Sequence, residues 1–218
     1  MKKIVSAILL MAMALSLCAC VNASCEDSHT WGEWETVVSA TDYTPAVVER
    51  ACEKCGTKET KEDFHQMFGH YAKLLQWVPF FTNAEYLQQN LDSVISAAFF
   101  ANVPTVTTEV DYVYYHTMKI SDLDAFTQKV FGYTYDYTGV VDLWVMYESI
   151  ANYDANADAI VIQAMGGGDQ SSELSGVTYE MTEGGSYMVT ATFELNGVTF
   201  EKAFCVVKKG DNYVISTY

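Results

Sequence analysis

The sequence has few basic residues and few prolines. Twelve Lys and Arg stand against 28 Asp and Glu, which gives a formal net charge of −16 at pH 7. Binding to nucleic acid or to an anionic lipid surface depends on Lys and Arg, so this balance argues against both partners. With 3 prolines, 15 tyrosines and 50% hydrophobic residues, the composition favours strands and is sufficient to fill a core.

The sequence also lacks a long hydrophobic run. Its longest, residues 4–17, falls short of the roughly 20 apolar residues that a spanning helix needs. Because Lys2 and Lys3 precede it, the run has the form of a secretory signal. It ends in Leu17-Cys18-Ala19-Cys20, so Leu17 stands three residues before a cysteine, with Ala19 directly before it, where an ordinary signal would end in a small-x-small site.

That ending resembles the lipobox of bacterial lipoproteins. The resemblance implies cleavage after Ala19 and acylation of Cys20 on its sulfur; Cys18 fits less well, because bulky Leu17 would precede the cut. We therefore expect a signal peptide over residues 1–19 and an extracytoplasmic protein anchored to the cell membrane by lipid, which two acyl chains can hold stably. The alternative is a soluble secreted protein whose cysteines fall there by accident.

Residues 20–28 are short and polar and are expected to form a spacer. After them come His29, two strand-like runs over residues 34–39 and 46–50, and the turn Cys52-Glu53-Lys54-Cys55-Gly56. Two thiolates at this spacing can converge on one metal ion. Two alternatives stay open: a disulfide from Cys25 to Cys52 or Cys55, which an oxidising compartment allows, and a redox-active pair, although such pairs stand at the start of a helix.

The order of these residues resembles a repeat in surface proteins of gut Firmicutes, which has His-x-Trp-x2-Trp, Ala-Thr, Arg-x-Cys-x2-Cys-Gly-x2-Glu and Gly-His. The matching residues are His29, Trp31, Trp34, Ala40, Thr41, Arg50, Cys52, Cys55, Gly56, Glu59, Gly69 and His70. The resemblance implies a zinc-ribbon-like β-hairpin module over residues 29–70. Its implied ligands for a structural zinc are His29, Cys52, Cys55 and His70, with Cys25 as an alternative to His29. The chain departs from the repeat at Asp42, where the repeat has Cys, and in a longer gap before His70, which leaves His65 as an alternative.

In residues 71–218, helical patterns come first and strand patterns follow. This order predicts an α+β domain with helices packed on one antiparallel sheet meander. Apolar periodicity predicts helices over residues 66–78 and 84–100, and a shorter one opening at Ser121. A strand is expected over Val106–Met118, and a run of hairpins after residue 146, including one at Asn196-Gly197. This order resembles the cone-shaped NTF2-like and cystatin-like folds; an all-β domain with peripheral helices is the alternative. The charged stretch Glu53–Asp63 is expected to be solvated.

No motif nominates a catalytic group. The stretch from Asp154 begins like a calcium loop but has Ala159 where Gly is needed and Met165 where Glu is needed. Gly166–Gly168 is expected between strands, so no helix N-terminus aims at a phosphate there. His116 is the only histidine outside the small module, and no Ser or Cys is placed in sequence as its partner.

The remaining functional signal is aromatic. Rings with a polar tip are enriched at recognition surfaces, and flat rings suit the faces of sugars. The candidate ligand-binding residues are Tyr112, Tyr114, Tyr133, Tyr135 and Tyr137. We expect a non-catalytic module that binds a partner protein, a peptide or a glycan. The alternatives are an extracytoplasmic enzyme with a site around His116 and a purely structural surface stalk.

Replacing Cys20 tests the anchor. In the Cys20→Ser variant we expect the protein to incorporate no radiolabelled fatty acid, because the acylated sulfur is gone. Cys18→Ser is the matched control and should stay labelled. A wild-type chain that carries no acyl group would contradict the prediction.

Overall fold

The computed structural model describes residues 28–76, 84–164 and 172–216. The described chain divides into two compact units: the first contains residues 28–39 together with Ala46–Asp63, and the second contains Ala40–Pro45 together with the described residues from Phe64 onwards. The predicted signal peptide, Cys20, Cys25 and the Gly166–Gly168 loop lie outside the described residues. Within the described part, no helix has both the length and the hydropathy that a membrane span requires.

The first unit is a three-stranded antiparallel sheet in the order β1-β2-β3, with β1 at Glu35–Val38, β2 at Ala46–Ala51 and β3 at Lys58–Asp63. Strands β1 and β2 confirm the predicted hairpin. Strand β3 lies within Glu53–Asp63, the charged stretch that was expected to be solvated. Its register places Glu59 opposite Arg50, and the two form an ion pair of 2.7 Å, while Lys58 pairs with Glu49 at 2.6 Å. Cross-strand charge pairs therefore support this strand where apolar alternation is absent.

The second unit confirms the predicted α+β class, but its strands form two antiparallel sheets rather than one meander. Its helices are α1 (His65–Leu75), α2 (Ala84–Gln89), α3 (Leu91–Phe100) and α4 (Ile120–Val130), with a short 3-10 helix at Met146–Glu148. Its strands are β4 (Thr105–Val110), β5 (Val113–Lys119), β6 (Leu143–Trp144), β7 (Ile150–Asp154), β8 (Ala159–Ala164), β9 (Glu173–Met181), β10 (Tyr187–Leu195), β11 (Val198–Lys209) and β12 (Asn212–Ser216). The sheet orders are β4-β5-β8-β7-β6 and β12-β11-β10-β9.

Helix α1 packs one face against the four-stranded sheet. Seven of its eleven residues are buried, and it packs against β9 and β10. Phe64, directly before it, contacts the rings of Tyr179, Tyr187 and Tyr213 at centroid distances of 5.8, 4.5 and 5.1 Å. The Tyr71 hydroxyl donates a 2.6 Å hydrogen bond to the carbonyl oxygen of Tyr213. Aromatic contacts and one buried hydrogen bond thus attach the helix to the sheet.

The C-terminus of α1 is held by a lysine of the sheet. Lys202 Nζ lies 3.0 Å from the carbonyl oxygen of Leu75 and 2.6 Å from that of Gln76. The last carbonyls of a helix have no intrahelical donor, and a cation there also complements the helix dipole. Burial lowers the pKa of Lys202.

Two predicted elements are divided in the structure. The helix expected over residues 84–100 breaks at Asn90, whose backbone has φ −125° and ψ 55°. The side-chain amide of Asn90 donates a hydrogen bond to the carbonyl oxygen of Tyr86. The strand expected over Val106–Met118 is the hairpin β4–β5, turned by Asp111 and Tyr112 at φ 50° and 66°. A side chain that competes for backbone hydrogen bonds favours the first break. The turn between β4 and β5 was not predicted, because Asp-Tyr is not one of the dipeptides that usually mark a two-residue turn.

The Tyr71 hydrogen bond gives a stability prediction. Tyr71→Phe keeps the ring but leaves the carbonyl of Tyr213 without this buried donor, which should lower the free energy of unfolding of the second unit by about 1–3 kcal/mol. Denaturant unfolding followed by circular dichroism measures it. Tyr112→Phe is the control, since Tyr112 is 92% exposed and should leave the midpoint unchanged. Equal midpoints for the two variants would contradict the role of this bond.

Candidate metal centre

The turn between β2 and β3 positions both cysteines of the C-x-x-C pair. The Cys52 amide donates to the carbonyl oxygen of Thr57 at 2.8 Å, and the Gly56 amide donates back to that of Cys52 at 2.8 Å. Gly56 has φ +72°, a left-handed conformation that glycine adopts without the usual steric cost. The turn therefore closes tightly enough to bring the two sulfur atoms to one side.

A second segment is bound beside this turn. Trp31 forms an isolated antiparallel bridge with Cys52. The Gly32 amide donates to the carbonyl oxygen of Ala51 at 3.0 Å, and the Glu53 amide donates to that of Thr30 at 2.9 Å. These backbone bonds fix the chain around Trp31, so His29 is held next to the cysteines although it lies more than twenty residues away in sequence.

His29, Cys52 and Cys55 form the group that could hold a metal ion. Their ligand atoms all lie within 4.8 Å of one another, and Cys55 Sγ is 3.4 Å from His29 Nδ1. Cys52 is buried, Cys55 is half-buried and His29 is exposed. Two thiolates and an imidazole are ligands that zinc prefers, and they suit a tetrahedral site that a fourth ligand would complete.

The electrostatics of the group favour the metal-binding form of the sulfur. Burial raises the pKa of Cys52, but backbone hydrogen bonds from Cys55 and Lys54, together with His29, outweigh it and lower the pKa to about 5. Hydrogen bonds to Cys52 and then Cys55 raise the pKa of His29. Since the thiolate is the form that binds metal, the turn prepares Cys52 as a ligand.

The two tryptophans of the module support the centre through Arg50. The Arg50 guanidinium lies 4.8 Å from the ring of Trp31 and 4.5 Å from that of Trp34, and Lys61 Nζ covers Trp34 at 4.3 Å. The ring of His29 is 4.8 Å from that of Trp31. Cation–π contacts of this kind attach the segment carrying His29 to β2 and β3.

The predicted fourth ligand, His70, belongs to the second unit. There its Nδ1 lies 3.9 Å from Asp42 Oδ1, its ring meets Tyr43 edge-on, and its Nε2 is buried with no hydrogen-bond partner among the described residues. Burial lowers its pKa. His65, the alternative, is exposed and contacts the ring of Tyr179. The assignment of His70 stays a prediction, as does that of Cys25, which lies outside the described residues.

The surroundings of the C-x-x-C pair differ from those of a redox-active pair. Cys52 and Cys55 stand in a turn that joins two strands, whereas thioredoxin-like pairs open a helix. Cys205 belongs to the second unit, where it is buried in β11.

The predicted tyrosines divide into two groups. Tyr112, Tyr114 and Tyr133 are exposed, and Lys209 Nζ lies 4.4 Å from the ring of Tyr133. Tyr135 and Tyr137 are 8% and 2% exposed and belong to the core, where burial raises the pKa of each. A side chain that is almost fully buried cannot meet a ligand at the surface, so the predicted binding role can apply directly only to the exposed three.

His116 is half-buried on β5. Its Nδ1 is 3.0 Å from the Thr107 hydroxyl, and its ring meets Phe99 edge-on at 5.2 Å. Among residues 28–76, 84–164 and 172–216, no carboxylate forms an ion pair or hydrogen bond with it. A general base is usually oriented by such a neighbour, so these contacts are typical of a packed strand histidine.

A surface that the sequence prediction did not identify is the outer face of the five-stranded sheet. The inner face carries Met118, Ile160 and Ile162, all buried. Residues opposite one another in the ladder share a face, so the register defines the other side. It carries Val106, Thr108, Val110, Val113, Tyr115, Thr117, Trp144, Ile150, Asn152, Val161 and Gln163. Lys119 and Asp154, at the strand ends, are its charged residues within the described strands.

The structure thus defines an α+β protein whose small N-terminal β-sheet carries a His/Cys/Cys group able to hold a metal. Compared with known protein families and with curated proteins, the chain matches none. The likeness of the second unit to NTF2-like or cystatin-like folds stays a prediction.

Gly56 provides a test of the centre. In Gly56→Ala the new Cβ meets no atom within 4 Å, so only the left-handed backbone is penalised, by about 1 kcal/mol. We expect cobalt(II) affinity, followed by thiolate-to-metal absorption, to fall about fivefold, since 1.4 kcal/mol is a factor of ten. Gly139→Ala also meets open space and has no positive φ, and it should leave the affinity unchanged. Unchanged affinity in Gly56→Ala would argue that the turn does not position the ligands.

Proposed function

We propose that this chain is a lipid-anchored extracytoplasmic protein in which a zinc-stabilised module carries an outer domain that binds a partner protein, a peptide or a glycan without catalysis. The convergence of His29, Cys52 and Cys55 within 4.8 Å is the observation that carries the metal part of the proposal. The lipid anchor rests on the ending at Cys20 and on the apolar run before it.

The small size of the first unit supports a structural role for the metal. Among its described residues only Ala46, Val48 and Cys52 are buried. Units of fewer than about 40 residues rarely bury enough apolar surface to fold and usually depend on metals, disulfides or association. A zinc ion with four protein ligands supplies that stability and leaves no position for a substrate.

The second unit supports binding rather than chemistry. Val106, Val110 and Trp144 on the outer face of the five-stranded sheet are 62%, 55% and 62% exposed. Large exposed apolar side chains on one face are typical of interaction sites. Near the end of this sheet, an open cavity of about 370 Å³ is lined by Gln88, Asp136 and Val140 among others. The Gln88 amide already bonds the backbone of Asp136, and the Asp136 carboxylate accepts from Thr138.

Metal analysis of the full chain, purified in detergent, tests the proposal. We expect one zinc per chain, lost in Cys52→Ser because a thiolate ligand is removed, and retained in Cys205→Ser, whose buried thiol lies in β11. The same measurement on His70→Gln and His65→Gln identifies the fourth ligand. A metal-free protein with Cys25 in a disulfide to Cys52 or Cys55 would overturn the metal centre.

A further inference from the structure

The open edge of the five-stranded sheet is strand β4. Five of its six residues are exposed, and β5 is its only neighbour in the sheet among the described strands. Edge strands present unpaired backbone groups, and proteins usually protect them with prolines, charges, bulges or a covering segment. Strand β4 has neither proline nor bulge, and Glu109 is its one charged residue.

The β4–β5 register shows which backbone groups face outwards. The strands join through the two-residue turn Asp111-Tyr112, so the closing pair Val110–Val113 is a hydrogen-bonded pair. Hydrogen-bonded and non-bonded pairs alternate in an antiparallel ladder, so the backbone groups of Thr105, Thr107 and Glu109 point away from β5. None of these three residues has a backbone partner on that side within the described chain.

We propose that β4 is the docking edge for an extended peptide segment of a partner, which adds to the sheet as a further antiparallel strand. The inference deepens the proposed binding function by naming the class of partner. Strand addition of this kind takes its affinity from the main-chain hydrogen bonds and its specificity from alternate side chains.

The charges of the edge select the partner's side chains. Glu109 has no ion-pair partner among the described residues, and Asp111 adds a second negative charge at the same end of the strand. The sequence has no Lys or Arg between Lys73 and Lys119. A peptide with a basic residue opposite Glu109 and uncharged β-branched residues beside Val106 and Val110 matches this edge.

A second copy of the chain fits the edge less well. Two chains of charge −16 repel one another, which opposes self-association. A stable dimer also buries about 1,200 Å² or more, and the edge of one six-residue strand supplies only part of that area. A single peptide strand needs no more than the edge itself.

The experiment measures fluorescence anisotropy of a labelled probe peptide against the full chain in detergent. The probe is a blocked hexapeptide that alternates Val with Thr and has one Lys opposite Glu109. In the Thr107→Pro variant, proline removes only the outward N–H, which an edge strand tolerates, and binding should weaken at least about tenfold. Thr107→Val is the matched control: it also loses the hydroxyl contact to His116 but keeps the N–H, and it should bind like wild type.

Two further arms test backbone pairing and charge. A probe N-methylated at the positions facing β4 should not bind, because it lacks the donors. Glu109→Lys should reverse the preference between the Lys probe and a probe with Glu in its place. Circular dichroism checks that each variant is folded.

Three results would overturn the proposal: no binding of the Lys probe up to about 1 mM, equal binding to Thr107→Pro and Thr107→Val, or a dimer in sedimentation that Thr107→Pro converts to a monomer. Zinc content and acyl labelling are measured separately from probe binding, so failure of the metal centre or of the anchor is distinguishable from failure of this test.

Discussion

The second unit depends on the burial of helix α1 against the four-stranded sheet. Met67, Phe68, Tyr71, Leu74 and Leu75 are at most 2% exposed, which at about 1.5–3 kcal/mol for each fully buried large apolar side chain makes this helix a major part of the core. The aromatic rings around Phe64 fix where the helix begins on the sheet, and Lys202 satisfies the carbonyls where it ends. Because both ends are held, the helix cannot slide along the strands, and this fixes the position of α3, which packs on it.

The first unit is stabilised in a different way. Strand β1 is exposed along its whole length and β3 is almost entirely charged, so apolar burial cannot hold the sheet together. Ion pairs across β2 and β3 and the stacking of Arg50 between two tryptophans supply local order. Exposed ion pairs contribute little, with a median near 0–1 kcal/mol. A metal at the His/Cys/Cys group is therefore the natural source of the missing stability, and this links the chemistry of the turn to the folding of the unit.

The inner face of the five-stranded sheet is buried at Met118, Ile160 and Ile162, and on its outer face the charged residues within the described strands are Lys119 and Asp154. In most antiparallel sheets the solvent face is polar. Here β4, with Glu109 as its one charged residue, presents an open edge beside that face. An apolar face and an open edge that meet along one strand provide both parts of peptide recognition, main-chain pairing and side-chain contact.

Much of the fold could be predicted from local sequence patterns. The helices α1 and α4, the module hairpin and the strands after residue 146 were expected from apolar spacing and turn residues. The break at Asn90 and the turn at Asp111-Tyr112 were missed because apolar periodicity continues through both. For the candidate site, the turn spacing identified Cys52 and Cys55, and the resemblance added His29. The outer sheet face was missed, because which side of a strand is buried depends on what packs against the sheet.

The sequence by itself determined the acidic charge, the Cys20 ending with its expected anchor, the α+β class and the residue types that suit a metal. Only the tertiary structure decided that His29 lies beside the two thiols, that Tyr135 and Tyr137 are core residues while Tyr112 is exposed, and that β4 is a sheet edge. The physical reason is that charge, periodicity and turn preference are local properties of the chain. Proximity, burial and strand order arise from packing between segments distant in sequence.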